Sequence, residues 1–173
     1  MIRVMLVDDH AKLLEGLARQ FSDRKDIQVV GRASNGQQAL QRATELQPDV
    51  MTLDVSLPDI NGINLVTQLK ERLPKLRILV LTMYDHERYA ASALEAGADG
   101  FLAKGAPFEE LERAVREVAT GRRYLSSVLT EKLKVRWSGA SGGPLSRLSE
   151  REFAVSTALS RGKPLKEVAD ELG

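Results

Sequence analysis

At 173 residues, with 43% apolar and 28% charged residues and no cysteine, the chain can bury one sizeable core plus a small second module, and disulfides, thiolate metal sites and cysteine nucleophiles are excluded. The net charge of +1 conceals an asymmetry: residues 1–120 hold 15 Lys and Arg against 18 Asp and Glu, and residues 121–173 hold 10 against 6. A mildly acidic body with a basic tail is compatible with nucleic-acid contact by the tail without establishing it. The opening MIRVMLVDDH reaches acidic residues too soon for a signal peptide and no stretch approaches a membrane span, so a cytoplasmic protein with no membrane partner is expected.

Ile2 to Val7 is an apolar run broken only by Arg3, and it ends in Asp8-Asp9, which reads as a strand. Leu13, Leu14, Leu17, Ala18 and Phe21 follow at helical spacing. Ile27 to Val30 is the second strand. Ser34-Asn35-Gly36 then opens a helix whose buried face is Ala39, Leu40, Ala43 and Leu46, with Pro48 beyond its end. Val50 to Leu53 is the third strand, set between Pro48 and Pro58, and it carries the carboxylate of Asp54 at its end. Asn61-Gly62 turns the chain into a helix with Ile63, Leu65, Val66 and Leu69, stopped before Pro74. Ile78 to Leu81 is the fourth strand and ends in Thr82. Tyr89, Ala90, Ala93 and Leu94 form the next helical face, and Gly97 suits the left-handed position past its last turn. Phe101-Leu102-Ala103 is a short fifth strand ending in Lys104. Pro107 at a first helical position, Glu109 and Glu110 in the first turn and Gly121 past the end frame the fifth helix.

Five strands alternating with five helices specify an α/β fold, a parallel sheet with helices on both faces. Right-handed crossovers leave few topologies, and the flavodoxin-like order 2-1-3-4-5 is the expected one. In that order strands 1, 3, 4 and 5 deliver Asp8-Asp9, Asp54, Thr82 and Lys104 to one crevice. Three converging carboxylates repel one another and raise their own pKa values unless a cation neutralises them. With no cysteine and the two histidines taken to lie elsewhere, the expected ligands are all oxygen, which suits Mg²⁺. Asp54 would then be the nucleophile that forms an acyl phosphate, with Thr82 and Lys104 binding the phosphoryl oxygens. Taken singly, each residue has a structural explanation: Asp8-Asp9 as an N-cap, Lys104 as a solvated lysine, Thr82 as a β-former and Phe101 as core. Delivery of the first three groups and Asp54 by four different strands favours chemistry.

Asp8-Asp9, the DVSLPDINGINL segment holding Asp54, ILVLT ending in Thr82 and GADGFLAKG holding Lys104 together resemble the receiver domain of a two-component response regulator over residues 1–120. Thr82-Met83-Tyr84-Asp85 and AGADGFLAKG resemble the NarL/FixJ subfamily in particular. The resemblance implies phosphotransfer from the phosphohistidine of a sensor histidine kinase to Asp54. It implies direct Mg²⁺ ligation by Asp9 and Asp54, a water-mediated role for Asp8 and a backbone carbonyl ligand from Ser56. It also implies a switch in which Thr82 moves toward the phosphoryl group and Phe101 changes rotamer, with Ser56 and Tyr84 tuning the lifetime of the phosphate. Such a protein is a phosphorylation-gated regulator and not an enzyme, beyond promoting its own Mg-dependent phosphotransfer and dephosphorylation. Gly105 follows Lys104 where many receivers have proline, so no cis-proline is expected at that bond. A haloacid-dehalogenase-type phosphatase also uses a strand-end Asp, but its second acid would fall at Ser56, and that reading fails.

Beyond the receiver, expected over 1–121, Leu125, Leu129, Leu133 and Trp137 recur every fourth residue, with Ser126-Ser127 as caps. They read as an amphipathic helix that packs on the receiver or serves in a homodimer formed on phosphorylation, packing being favoured because the stripe is short. Residues 138–144, SGASGGP, are a flexible linker by composition, so 122–146 form the connecting segment. Residues 147–173 resemble an incomplete, all-α LuxR-type helix-turn-helix: Leu165, Val168, Ala169 and Leu172 share a face behind Pro164, but Ser156 and Ala158 stand where large apolar residues are usual. The sequence stops at Gly173, where the family's recognition helix would begin, so residues 1–173 alone are expected to bind no DNA specifically. Two outputs follow. One is a DNA-binding transcription regulator of which this is a portion; the other is a receiver-only signalling or phosphate-sink module acting through protein contacts.

Overall fold

The computed structural model describes residues 1–83 and 87–126. Its elements are β1 (Ile2–Val7), α1 (Ala11–Ser22), β2 (Ile27–Ala33), α2 (Gly36–Leu46), β3 (Val50–Asp54), α3 (Gly62–Arg72), β4 (Arg77–Thr82), α4 (Glu87–Glu95), β5 (Gly100–Ala103), α5 (Phe108–Ala119) and β6 (Tyr124–Leu125). Every strand pairing is parallel, in the order β2-β1-β3-β4-β5-β6. The flavodoxin-like order holds for the first five strands, and the expectation of a five-stranded sheet is corrected to six.

The sixth strand arises where helical spacing suggested a helix. After Gly121, at φ +86, the chain runs back beside β5, and Tyr124 and Leu125 pair with Gly100 and Phe101. The Tyr124 amide donates to the Asp99 carbonyl at 3.0 Å. Its hydroxyl donates to Glu110 Oε1 and accepts from Arg113, both at 3.0 Å, so α5 fixes the strand from the side. Leu125 therefore belongs to the sheet. The rest of the expected stripe, the flexible linker and the all-α C-terminal segment lie outside the described residues.

The caps follow the local sequence. Asn35 accepts from the Gln38 amide at the start of α2, and Asn61 accepts from the Ile63 amide at the start of α3. Gly97 takes φ +104 after α4, a conformation that costs a side-chain-bearing residue about 1 kcal/mol or more. Pro107 is corrected from first helical residue to N-cap: its ψ of 148° is extended, and the helix begins at Phe108. β2 extends past Val30 to Ala33 because one residue bulges out, Val4 facing Val29 while Met5 faces Gly31.

The strands read as near-continuous apolar runs because both faces are covered. Val4, Leu6, Val50, Leu79, Leu81 and Leu102 form one cluster with Leu14 and Phe21 of α1 and Leu111, Ala114, Val115 and Val118 of α5. Phe21 meets Phe108 edge to face at 4.9 Å between ring centres. The alternate residues Met5, Val7, Met51, Leu53, Ile78 and Val80 are as deeply buried on the opposite face, left for α2, α3 and α4, which contact one another in succession. Each such side chain contributes on the order of 2 kcal/mol by leaving water. No described helix is long and apolar enough to cross a membrane.

Candidate functional site

Parallel register puts the expected groups on one edge. Val7 lies opposite Leu53, Asp54 opposite Leu81, and Thr82 opposite Ala103. Asp8, Asp54, Thr82 and Lys104 therefore stand within one residue of the same line across β1, β3, β4 and β5. The Lys104 amide donates to the Thr82 carbonyl at 2.8 Å, which continues the β4–β5 pairing into the crevice.

The side chains complete what the backbone begins. Lys104 Nζ lies 2.6 Å from Asp8 Oδ2 and 2.8 Å from Asp54 Oδ2, with all three side chains no more than 6% exposed. The solvated-lysine explanation therefore fails. So does the N-cap explanation for the acidic pair, because α1 starts after His10 and receives no side-chain cap. Thr82 is fully buried and Phe101 is 1% exposed, whereas Met83, next to Thr82, is 74% exposed and marks the solvent side of the crevice.

The loop after Asp54 is held at several points. The Ser56 amide donates to Asp54 Oδ1 at 3.1 Å, and Ser56 pairs with Asn61 across the loop. Gly62 lies so close that a Cβ there would stand 2.5 Å from Val55 Cα and 2.7 Å from the Asp54 carbonyl oxygen, so α3 can start here only from glycine. Asp59 reaches across to α2, accepting from the Gly36 amide at 2.8 Å and the Gln37 amide at 2.9 Å. Burial works against its charge, yet these amides outweigh it and hold the carboxyl below its ordinary pKa.

Asp8 and Asp54 share one lysine, with Asp9 beside them, and the electrostatics record the shortage. Burial is the largest influence on Asp54 and lifts its carboxyl above the ordinary value; Lys104 and the Ser56 amide pull it down, and the charge of Asp8 adds to the rise. Burial also opposes the Lys104 ammonium, but Asp54 and Asp8 prevail and raise its pKa.

Asp8, Asp9, His10 and Asp54 each offer a ligand atom, and these lie within 4.8 Å of one another. The donors and the excess negative charge fit a divalent cation. One expectation needs correcting here. The histidines were taken to lie elsewhere, yet His10 Nδ1 is 3.0 Å from Asp8 Oδ1 and 2.8 Å from Asp9 Oδ1. The reason is local: the His10 amide donates to Asp8 Oδ1 at 2.9 Å, folding the imidazole back over the acids that precede it. Adjacency in the sequence was the available signal. Asp59 was missed as well, since its partners are 22 and 23 residues away.

With the geometry in hand, comparison with known proteins is specific. The response regulator receiver domain profile matches residues 4–116. Response regulator GacA of Pseudomonas aeruginosa is 33% identical over 99% of this chain and 81% of its own length. The DNA-binding transcriptional activator DevR/DosR of Mycobacterium tuberculosis is 38% identical over 99% of this chain and 80% of its own. Among solved structures, a LuxR-family two-component response regulator from Aurantimonas sp. SI85-9A1 superposes with a TM-score of 0.75 at 31% identity, covering 80% of this chain and 99% of that one.

Proposed function

The chain belongs to the response regulator receiver family, in its NarL/FixJ-type branch, and from that premise we propose that Asp54 accepts a phosphoryl group from a sensor histidine kinase and thereby switches a DNA-binding transcriptional output. The observation that carries this reading is the shared lysine: Lys104 bridges Asp8 and Asp54 in a crevice where acids outnumber cations. An incoming phosphoryl group turns one Asp54 oxygen into the bridging oxygen of an acyl phosphate, a mixed anhydride, and frees Lys104 to bind phosphoryl oxygens.

The reaction balances simply. The P–N bond of a phosphohistidine breaks, a P–O bond to Asp54 forms, and the departing imidazole keeps the electron pair and takes a proton from solvent. Asp9 and Asp54, with the Ser56 carbonyl and Asp8 through water, would hold Mg²⁺, which supplies charge neutralisation and orients the phosphoryl oxygens. Ser56 and its amide keep Asp54 turned into the crevice, and Lys104 stabilises charge on the transferring group. Thr82 is the residue that would close on the phosphoryl group, and Phe101, two residues ahead of Ala103 and paired to Leu125 of β6, would carry the change outward.

Because only the ionised carboxylate attacks and burial raises the pKa of Asp54, uptake should grow as pH climbs above the ordinary carboxylate value, and a bound cation should shift that onset downward. Chemistry beyond this self-modification is not proposed, and the cytoplasm is the proposed compartment. For the output, DevR/DosR is a DNA-binding transcriptional activator by name, and the same role is proposed for this protein. Acceptor chemistry is tested by intact mass after incubation with a small phosphodonor: one phosphoryl mass is expected with Mg²⁺ and none without a divalent cation. Metal-independent uptake would contradict the mechanism.

A further inference from the structure

The two edges of the sheet differ. At one, β5 has taken a strand from further along the chain: Tyr124 and Leu125 pair with Gly100 and Phe101, and Glu110 and Arg113 of α5 clamp the Tyr124 hydroxyl. At the other, β2 pairs only with β1 among the described residues, so its outer row of backbone amides and carbonyls faces away from the sheet. That row lies in a groove of about 560 Å³ flanked by α1 and α2, with Ala18, Ser22 and Arg42 on its walls and Val29, Val30 and Arg32 along the strand. Val29 and Val30 are only half-buried. An open edge templates strand addition, and soluble proteins blunt such edges with bulges or charge. The bulge at Val30 shortens the usable edge without closing it, since Gly31 to Ala33 pair regularly with Met5 to Val7. Two paired residues suffice at β5.

The geometry points to β2 as a docking edge for an extended acidic peptide segment of a partner protein. The peptide backbone pairs beside Arg32, its acidic side chain lies between Arg32 and Arg42, and an apolar side chain covers Val29 and Val30. The charge of the groove selects this occupant. Arg32 and Arg42 are both exposed, and no acid lines the groove among the described residues. A second copy of the chain would bring the same two cations and no acid. Arg42 also holds the place that a partner must take: its Nη1 donates to the Arg32 carbonyl at 2.6 Å. An incoming carboxylate draws the guanidinium off that carbonyl and a peptide amide replaces it, so the acceptor exchanges one donor for another. The arrangement matches the one at β5, where a helix arginine, Arg113, holds the side chain of the added strand. Docking here uses none of the phosphoacceptor residues.

The test is amide NMR and hydrogen exchange on the 173-residue chain, titrated with a blocked hexapeptide of valine and threonine carrying a central glutamate. Two control peptides replace the glutamate by lysine or N-methylate alternate amides. The glutamate peptide should shift and protect amides within Ile27 to Ala33 and bind at least about tenfold more tightly than either control. Arg42→Gln retains a donor for the Arg32 carbonyl and should reduce the preference for glutamate over lysine to less than about threefold. Arg32→Gln should act in the same direction, and circular dichroism checks that both variants, each at an exposed position, keep the fold. Equal binding of the three peptides, shifts confined to other strands, or no saturable binding would overturn the proposal. So would outward amides of β2 already protected in the free chain, whether by its own C-terminal residues or by dimerisation seen in ultracentrifugation, since the edge would then have another occupant.

Discussion

Two buried carboxylates sit at opposite ends of the parallel sheet and meet opposite fates. Asp99 precedes β5 at the amino edge, where Lys70 Nζ lies at 2.6 Å, Arg77 Nη1 at 2.8 Å and the Ile78 amide at 2.9 Å. Burial opposes its charge, but Lys70, Ile78 and Arg77 prevail and hold the carboxyl below its ordinary pKa. Asp54 closes β3 at the carboxyl edge and shares a single lysine with Asp8, so burial prevails and its pKa rises. Residue type and burial are alike; the ratio of cations to acids differs. A surplus of cations makes Asp99 a structural tie between α3, β4 and β5, and a deficit leaves Asp54 ready for a further positive charge and for chemistry.

The sharpest way to break this contrast is to neutralise each acid in turn. Asp54→Asn should reduce phosphoryl uptake from one group per chain to none, read by intact mass, while the urea midpoint stays at or above that of the unaltered chain. Asp99→Asn should do the reverse. It leaves Lys70 and Arg77 without their acid and weakens the acceptor for the Ile78 amide, costing about 3 kcal/mol in urea denaturation, with uptake by the folded fraction retained. Should Asp54→Asn be the more destabilising of the two, the contrast would be wrong.

The pH dependence of the same pair of variants has opposite signs. With its folded pKa depressed, Asp99 contributes stability above the unfolded value of 3.8 that is lost as pH falls through the folded value. The deficit of Asp99→Asn should therefore shrink on acidification. With its folded pKa raised, Asp54 contributes stability below 3.8 that is lost as pH rises through the folded value. Asp54→Asn should gain on the unaltered chain as pH rises above 3.8, followed by urea denaturation at each pH. Slopes of the same sign would contradict the assignment. The smallest effect is expected at Asp59, a third acid answered by amides rather than cations. Asp59→Ala removes a cap from α2 and should cost about 1 kcal/mol of stability, with Asn35 still capping the helix.

Much of the carboxyl edge was legible because each functional group ends an apolar run. Val50 to Leu53 and Ile78 to Leu81 announce strands by continuous hydrophobicity, and the residue after each run must reach the edge. Gly97 and the asparagine caps were readable from local backbone demands. What escaped were pairings decided at a distance. Leu125 fits a helical spacing, but the open edge of β5 offered it hydrogen bonds and Tyr124 a buried slot against α5. Asp99, Lys70 and Arg77 carry no spacing signal, since their meeting depends on how α3 lies beside β4. His10 was passed over although it adjoins the acids, because helical periodicity says nothing about a side chain that turns backwards in the residue before the helix.

The measurement that tests the central claim most directly is the position of the phosphoryl group. Borohydride reduces an acyl phosphate to the alcohol, so a phosphorylated aspartate becomes homoserine and can be located by peptide mass. After treatment with a small phosphodonor and Mg²⁺, homoserine should be found at position 54, and Asp8, Asp9, Asp59 and Asp99 should remain aspartate. Homoserine at Asp8 or Asp9 with Asp54 intact would mean that the deficit of cations around Asp54 does not select the acceptor, and the account would be wrong.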